Sequence, residues 1–347
     1  MTRVHQALSG VGPYDAVSTQ AQAWRELLAG WGMEGEIYAD SIDPRASDGV
    51  HSLAELESDP GDLIVIRYSA YAPTLRPLLD LPQPKLLVYH NVTPPRYFWN
   101  HHPGVAVACA LGRDQLPRYA QAVDVAAADS EFNARELKDA GARETRVVPI
   151  LFESGRLADQ GPAPEGGGPL VLVVGRLVPN KRHDLAIAAF ADYQRRLAPE
   201  ARLVLVGEPL SPSYRVLIER LARQSGARRV TVAGGLPQPE LNALYANADV
   251  LLSTSEHEGF CVPLLEAFHF GLPVVARPAG AMPEVGGDAV LWADEGDGEM
   301  LAELMDLAVG DRALREELGR RGRRRLEDFA YERTAGRIRD AVDAALG

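Results

Sequence analysis

The chain has 347 residues, 46% of them hydrophobic and 24% charged, with a formal charge of −12. That length favours two domains, and the acidic balance speaks against general nucleic-acid binding, which leans on a positive surface, and weakens attraction to anionic lipid. No apolar run approaches the roughly 20 residues that span a bilayer, and the two cysteines, Cys109 and Cys261, give neither a disulfide framework nor a zinc spacing.

The opening MTRVHQALSG lacks a signal-peptide hydrophobic region and reads directly as a strand over 3–8, so a cytoplasmic location is expected. Ser9 to Asp15 reads as a loop holding Gly10, Gly12 and Pro13. No third glycine arrives on schedule, so Gly10-x-Gly12 is a weak dinucleotide fingerprint. Val17, Ala21, Trp24, Leu28 and Trp31 recur at steps of four and three, which predicts a helix from Ala16 to Trp31 with both tryptophans in the core. Further strands are expected at Glu36–Ala39, Asp62–Tyr68, Lys85–His90, Asp124–Ala128 and Arg146–Pro149. Such alternation of strands with helical or turn-rich segments reads as a parallel, doubly wound sheet with ligands at the strand carboxyl ends. His90 stands at such an end, followed by Asn91, Thr93, Pro94 and Pro95. A structural and a functional role are both open to it. His101 and His102 are assigned no chemistry. Ser130 is placed to N-cap a helix over Phe132–Ala140, with Gly141 as its stop.

Residues 153–168, ESGRLADQGPAPEGGG, read as a linker. Beyond it, strands are expected at Leu170–Val174, Arg202–Val206, Val230–Ala233, Asp249–Leu252, Pro273–Ala276 and Ala289–Trp292. Arg176 and Lys181 bracket the turn after the first of these, before a helix from about His183. Lys181 is one of only three lysines in the chain. A guanidinium offers a planar fork to phosphate oxygens and an ammonium a compact charge. After the strand ending at Leu252 come Glu258, Gly259, Phe260 and Cys261, then a helix opening near Val262 and Pro263 and closing at Gly271. Proline suits a first helical turn, where the N–H it lacks would have no partner. The N–H groups of Gly259, Phe260 and Cys261 reach a helix N-terminus, which favours anions, and Glu266 lies one turn inside, placed to accept from ligand hydroxyls. Residues 300–328 read as charged and helical, with the Arg320–Arg325 cluster on a solvated face.

Gly175-Arg176-Leu177 with Asn180-Lys181, followed by Glu258-Gly259-Phe260 with Glu266, resembles the donor site of retaining family 4 glycosyltransferases (glycosyl transferases group 1). The resemblance implies a GT-B fold: two Rossmann-like, doubly wound parallel-sheet α/β domains facing a cleft. Domain limits on that reading are 1–152 plus about 329–347, the linker 153–168, and 169–328. It implies transfer of a sugar from a nucleoside-diphosphate-sugar to an acceptor hydroxyl with retention, without metal or other cofactor. Arg176 and Lys181 would hold the diphosphate, Glu258 the sugar hydroxyls, Glu266 the ribose, and Gly175, Gly259, Phe260 and Cys261 the donor. Gly235 and Leu236 would lie beside the base. Gly12 and Asp15 would face the diphosphate, His90 the donor sugar and acceptor, and Ser130 the cleft. The acceptor stays open among saccharides, lipid-linked intermediates and small metabolites, and nothing in the sequence supports peripheral membrane contact or fixes an oligomeric state. Two other readings stay open: another GT-B enzyme, such as a nucleotide-sugar epimerase or an inverting transferase, or a non-catalytic nucleotide-sugar-binding subunit.

Overall fold

In a computed structural model of the chain, residues 2–159, 161–293 and 297–347 are described. Gln160, inside the expected linker, lies outside the described residues. Two compact units form, Met1–Leu151 with Phe329–Gly347, and Phe152–Asp328.

The first unit carries strands β1 Val4–Val11, β2 Ile37–Ile42, β3 Val50–Ser52, β4 Leu63–Tyr68, β5 Lys85–Tyr89, β6 Val125–Ala128 and β7 Thr145–Val147. They pair in parallel in the order β3-β2-β1-β4-β5-β6-β7. The order reverses between β1 and β4, which makes their carboxyl ends a topological switch point. β4 and β5 are buried along their whole length, as expected of parallel strands covered on both faces. Alternate residues enter opposite cores. Ile64, Ile66, Leu87 and Tyr89 join one cluster, while Leu63, Val65, Leu86 and Val88 join another. The helices are α1 Ala16–Gly30, α2 Pro103–Ala122 and α3 Glu131–Asp139. The C-terminal helix Tyr331–Leu346 closes the second cluster with Ala335, Ile338, Ala341, Val342 and Ala345.

The second unit carries β8 Leu170–Val174, β9 Arg202–Val206, β10 Val230–Gly234, β11 Val250–Ser253, β12 Val274–Ala276 and β13 Val290–Trp292, all paired in parallel. Their order is β10-β9-β8-β11-β12-β13, so the switch point falls between β8 and β11. The helices are α4 His183–Arg196, α5 Pro212–Gln224, α6 Gln238–Asn247, α7 Val262–Phe270, α8 Met282–Gly286, α9 Gly298–Gly310 and α10 Arg312–Glu327, and the C-terminal helix is α11. The doubly wound α/β expectation holds in both units.

Local differences have physical reasons. β1 continues to Val11 because Gly10 and Val11 pair with Ser41 and Ile42 on β2, so Ser9 and Gly10 are strand and not loop. β3, too short to show alternation, was not expected. α2 begins at Pro103, where the His102 ring accepts from the Val105 N–H and caps it. Trp24 is core, but Trp31 is only partly buried, at the C-cap of α1 beneath the Arg339 guanidinium. Part of the stretch expected to be linker is docked. Leu157 is buried, and Asn242 donates to the carbonyls of Arg156 and Asp159.

Gly207, just after β9, has φ +153, and a Cβ there would stand 2.0 Å from the Gly175 carbonyl oxygen. Gly207→Ala is therefore expected to cost about 2 kcal/mol, since backbone must move and the conformation disfavours L residues. A lowered urea midpoint measures it, and an unchanged midpoint refutes the close approach.

Candidate active site

The switch point of the second sheet brings together two turns far apart in sequence. After β8 the chain passes Gly175 and Arg176, makes a short 3-10 turn at Pro179–Lys181 and enters α4 through Arg182, which is left-handed at φ 52. After β11 it runs through Thr254 to Glu258 and enters α7 through Cys261, left-handed at φ 81, with Pro263 in the first turn and Gly271 left-handed at the end. The turns are stitched together. Asn180 Nδ2 donates to the His257 carbonyl, the Glu256 N–H donates to the Asn180 carbonyl, and the Thr254 hydroxyl reaches the carbonyls of Lys181 and Arg182. Arg182 and Arg277 both pair with Glu256.

Inside this frame Lys181 Nζ donates to Glu258 Oε1 at 2.5 Å, and Ser255 Oγ donates to the same oxygen at 2.6 Å. The ammonium also lies over Gly175, 3.5 Å from where a Cβ would stand, an ordinary contact distance, and the φ of +145 there disfavours any side chain. Burial and the nearby Arg176 charge both lower the Lys181 ammonium, but the Glu258 carboxylate outweighs them and holds it above its ordinary value. Burial, then Glu258, pushes the Cys261 thiol up, which keeps it protonated. Arg176 is exposed and, among the described residues, its side chain makes no ion pair or hydrogen bond. Phe260 is buried and anchors the entry to α7. One turn on, Glu266 accepts the Tyr245 hydroxyl at 2.7 Å, and burial raises its carboxyl above the usual range. The Tyr245 ring stacks on Phe270.

Arg176, Lys181, Glu258 and Cys261 are therefore neighbours, and Glu266 shares α7 with the last of them. Gly235 and Leu236 follow β10 on the same carboxyl edge, two strands from β8. Ser255 and Tyr245 were missed as site residues. A lone serine in a polar turn and a tyrosine on a buried helix face carry no distinguishing periodicity.

His183, the first residue of α4, is 1% exposed. Burial and the Lys181 charge, against a smaller opposing effect of Asp184, lower it from 6.5 to about 4. The unfolded chain thus takes the proton first. Stability from this group is complete above about pH 6.5, falls as the pH drops, and is lost by about pH 4. His183→Leu is expected to flatten that part of the acid limb while matching wild type at pH 7. Urea midpoints at pH 7, 5 and 4 check it, and equal acid sensitivity of both proteins refutes it.

In the first unit the residues singled out from the sequence lie at the ends of β1, β5 and β6. Asp15 caps α1, accepting from the Ser18 N–H and hydroxyl, and that hydroxyl oxygen accepts the Gly12 N–H. Ser130 is fully buried and caps α3 through the Asn133 N–H. The His90 ring is 4% exposed, with Nδ1 2.9 Å from Asp129 and Nε2 3.1 Å from Arg67 Nη1. A guanidinium can only donate, so Nε2 accepts and the ring proton sits on Nδ1, facing Asp129. What His90 leaves accessible is its main chain. Arg67 is itself 1% exposed and bonds Gln6 and the Gln20 carbonyl, with its guanidinium 4.6 Å from the centroid of the Trp24 ring. Burial brings it down to about 9 against the pull of Asp129. Arg67 was also missed, because an arginine inside an apolar strand run shows no partner until its neighbours are known.

Comparison with known proteins converges on one group. Residues 157–325 match the family described as glycosyl transferases group 1. The chain is 33% identical over 187 residues to the D-inositol 3-phosphate glycosyltransferase of Segniliparus rotundus, over 51% of this chain and 40% of that protein. It is 36% identical over 153 residues to the MMP alpha-(1->4)-mannosyltransferase of Mycolicibacterium hassiacum, over 42% of this chain and 36% of that protein. Each match thus spans less than half of the curated relative. Among solved structures, sucrose-phosphate synthase from Thermosynechococcus elongatus superposes with a TM-score of 0.77 at 20% identity, over 99% of this chain and 100% of that one. Anabaena HepE, in complex with UDP and glucose, does so with a TM-score of 0.75 at 16% identity, over 99% and 100%. These likenesses establish the GT-B fold. The paired turns of Lys181 and Glu258 lie inside the segment, residues 157–325, that matches the glycosyl transferases group 1 family.

Proposed function

We propose that the chain transfers a glycosyl group from a nucleoside-diphosphate-sugar to an acceptor hydroxyl, with retention of anomeric configuration and without a metal ion. The observation that carries this reading is the convergence of Arg176, Lys181, Glu258 and Ser255 where β8 and β11 diverge. The UDP in the Anabaena neighbour supports a nucleoside diphosphate as leaving group.

Cleavage of the anomeric C–O bond places negative charge on the departing diphosphate. The Arg176 fork and the Lys181 ammonium meet that charge as it develops, so they favour the transition state over the ground state. Those side chains supply the cationic charge, which is why metal independence is part of the proposal. Glu266, with one oxygen taken by Tyr245, offers the other to ribose hydroxyls. Glu258, whose Oε1 accepts from Lys181 and Ser255, is cast as a ligand of sugar hydroxyls through its other oxygen and not as the nucleophile. Retention then follows from same-face substitution, with a phosphate oxygen of the leaving group taking the acceptor proton. His90 contributes its main chain at the end of β5, its ring being fixed between Arg67 and Asp129. The reaction belongs in the cytoplasm on this reading, and the acceptor is a hydroxyl compound of unassigned identity.

The test is to incubate the purified chain with UDP-, GDP- and dTDP-sugars and a panel of saccharide acceptors, following the anomeric proton by NMR with and without EDTA. Release of nucleoside diphosphate, a retained anomer and indifference to EDTA are expected. An inverted product overturns retention, and loss of activity in EDTA overturns metal independence. Binding without any donor cleavage marks a non-catalytic subunit.

A further inference from the structure

Lys181 has one ammonium, and on the donor-site reading above two anions need it. Glu258 Oε1 accepts from Nζ at 2.5 Å. A diphosphate at the β8 turn, beside Arg176, requires the same group. The two partners of that carboxylate oxygen differ in freedom. Lys181 reaches it on a flexible four-carbon stem, over a glycine that leaves the ammonium room to swing. Ser255 is 2% exposed, lies two residues beyond β11 and accepts from Ser253 Oγ at 3.5 Å, so its donor is directed at Glu258 from a fixed position.

We propose that Glu258 and the donor's diphosphate compete for Lys181, and that Ser255 is the positioning residue that retains the carboxylate when the ammonium turns to phosphate. This proposal rests on the donor-site reading and deepens it. Buried carboxylates are costly without donors. An intact nucleotide-sugar brings hydroxyls that replace the lost ammonium on Glu258. A bare nucleoside diphosphate takes the ammonium and returns nothing. The exchange therefore favours the intact donor over the spent product and speeds product release after transfer. The pair senses whether a sugar is attached.

Titration calorimetry with UDP and with GDP on the full chain tests this in wild type, Glu258→Gln and Ser255→Ala, with a urea midpoint for each protein as a folding control. Glu258→Gln removes the competing anion and is expected to bind the diphosphate about tenfold more tightly, while turning over donor more slowly. Ser255→Ala leaves the displaced carboxylate without a donor and is expected to bind the diphosphate several-fold more weakly, by about threefold or more. A purely structural role for both residues would weaken binding in both variants, so the opposite signs are the diagnostic result. Unchanged or weaker binding by Glu258→Gln overturns the competition while leaving the donor site standing. Should Glu258→Gln fail to fold, unchanged or tighter binding by Ser255→Ala overturns it. If neither diphosphate binds wild type or Glu258→Gln, the donor-site reading falls, and the competition with it.

Discussion

Arg176→Ala is expected to lower kcat by about 10²–10³ while leaving the urea midpoint at its wild-type value. The two halves of that expectation have separate causes. Among the described residues the Arg176 side chain has no hydrogen bond or ion pair, and it is exposed, so its removal takes nothing from the fold. Its charge is nevertheless felt at Lys181, which places the guanidinium beside the ammonium that a diphosphate would share. Two cations near one another repel, and an anion bound between them would offset that repulsion. Steady-state kinetics with an active donor, together with urea denaturation, check both halves. Wild-type turnover in the variant refutes the role, and a large loss of stability shows a structural contact instead.

Lys181→Met is expected to behave differently, destabilising the second unit by about 3–5 kcal/mol in addition to abolishing most turnover. Glu258 is 7% exposed and would be left with the Ser255 hydroxyl on its Oε1. A buried carboxylate without its counter-ion is the costly arrangement, more so than a pair replaced as a whole. The double variant Lys181→Met/Glu258→Gln should therefore recover about 2 kcal/mol of the loss while remaining inactive. Urea denaturation of the two single variants, the double variant and wild type completes the cycle. Simple additivity of the single effects would mean that the 2.5 Å pair has no energetic coupling.

The contrast between these two cations bears on how far the sequence can be read. Arg176 and Lys181 were both picked out from a strand-to-helix turn, and nothing local distinguishes them. Their difference lies in Glu258, which is 77 residues from Lys181 along the chain. Likewise His90 could be placed at a strand end, but its ring state depends on Arg67 and Asp129, which arrive from β4 and the turn after β6. Ser130 was expected to cap a helix and does, because a cap bond spans only three residues. Asp15 was singled out as a candidate to face the diphosphate, and its carboxylate also caps α1, an arrangement the spacing to Ser18 would have allowed.

The sequence by itself determined the βα alternation, the strands of both sheets to within a few residues apart from β3, the helix stops at Gly141 and Gly271, and the cations and carboxylates beside strand ends. All of these are local: burial on both faces of a strand writes a continuous apolar run, and a helix end writes its cap and stop within one turn. The tertiary structure alone decided that β8 lies beside β11, that Lys181 and Ser255 meet at Glu258, that Gly207 presses on the Gly175 carbonyl, and that Arg67 reaches the His90 ring. Those contacts follow from strand order, and the crossovers of a parallel sheet set that order without leaving a periodic mark on the residues they bring together.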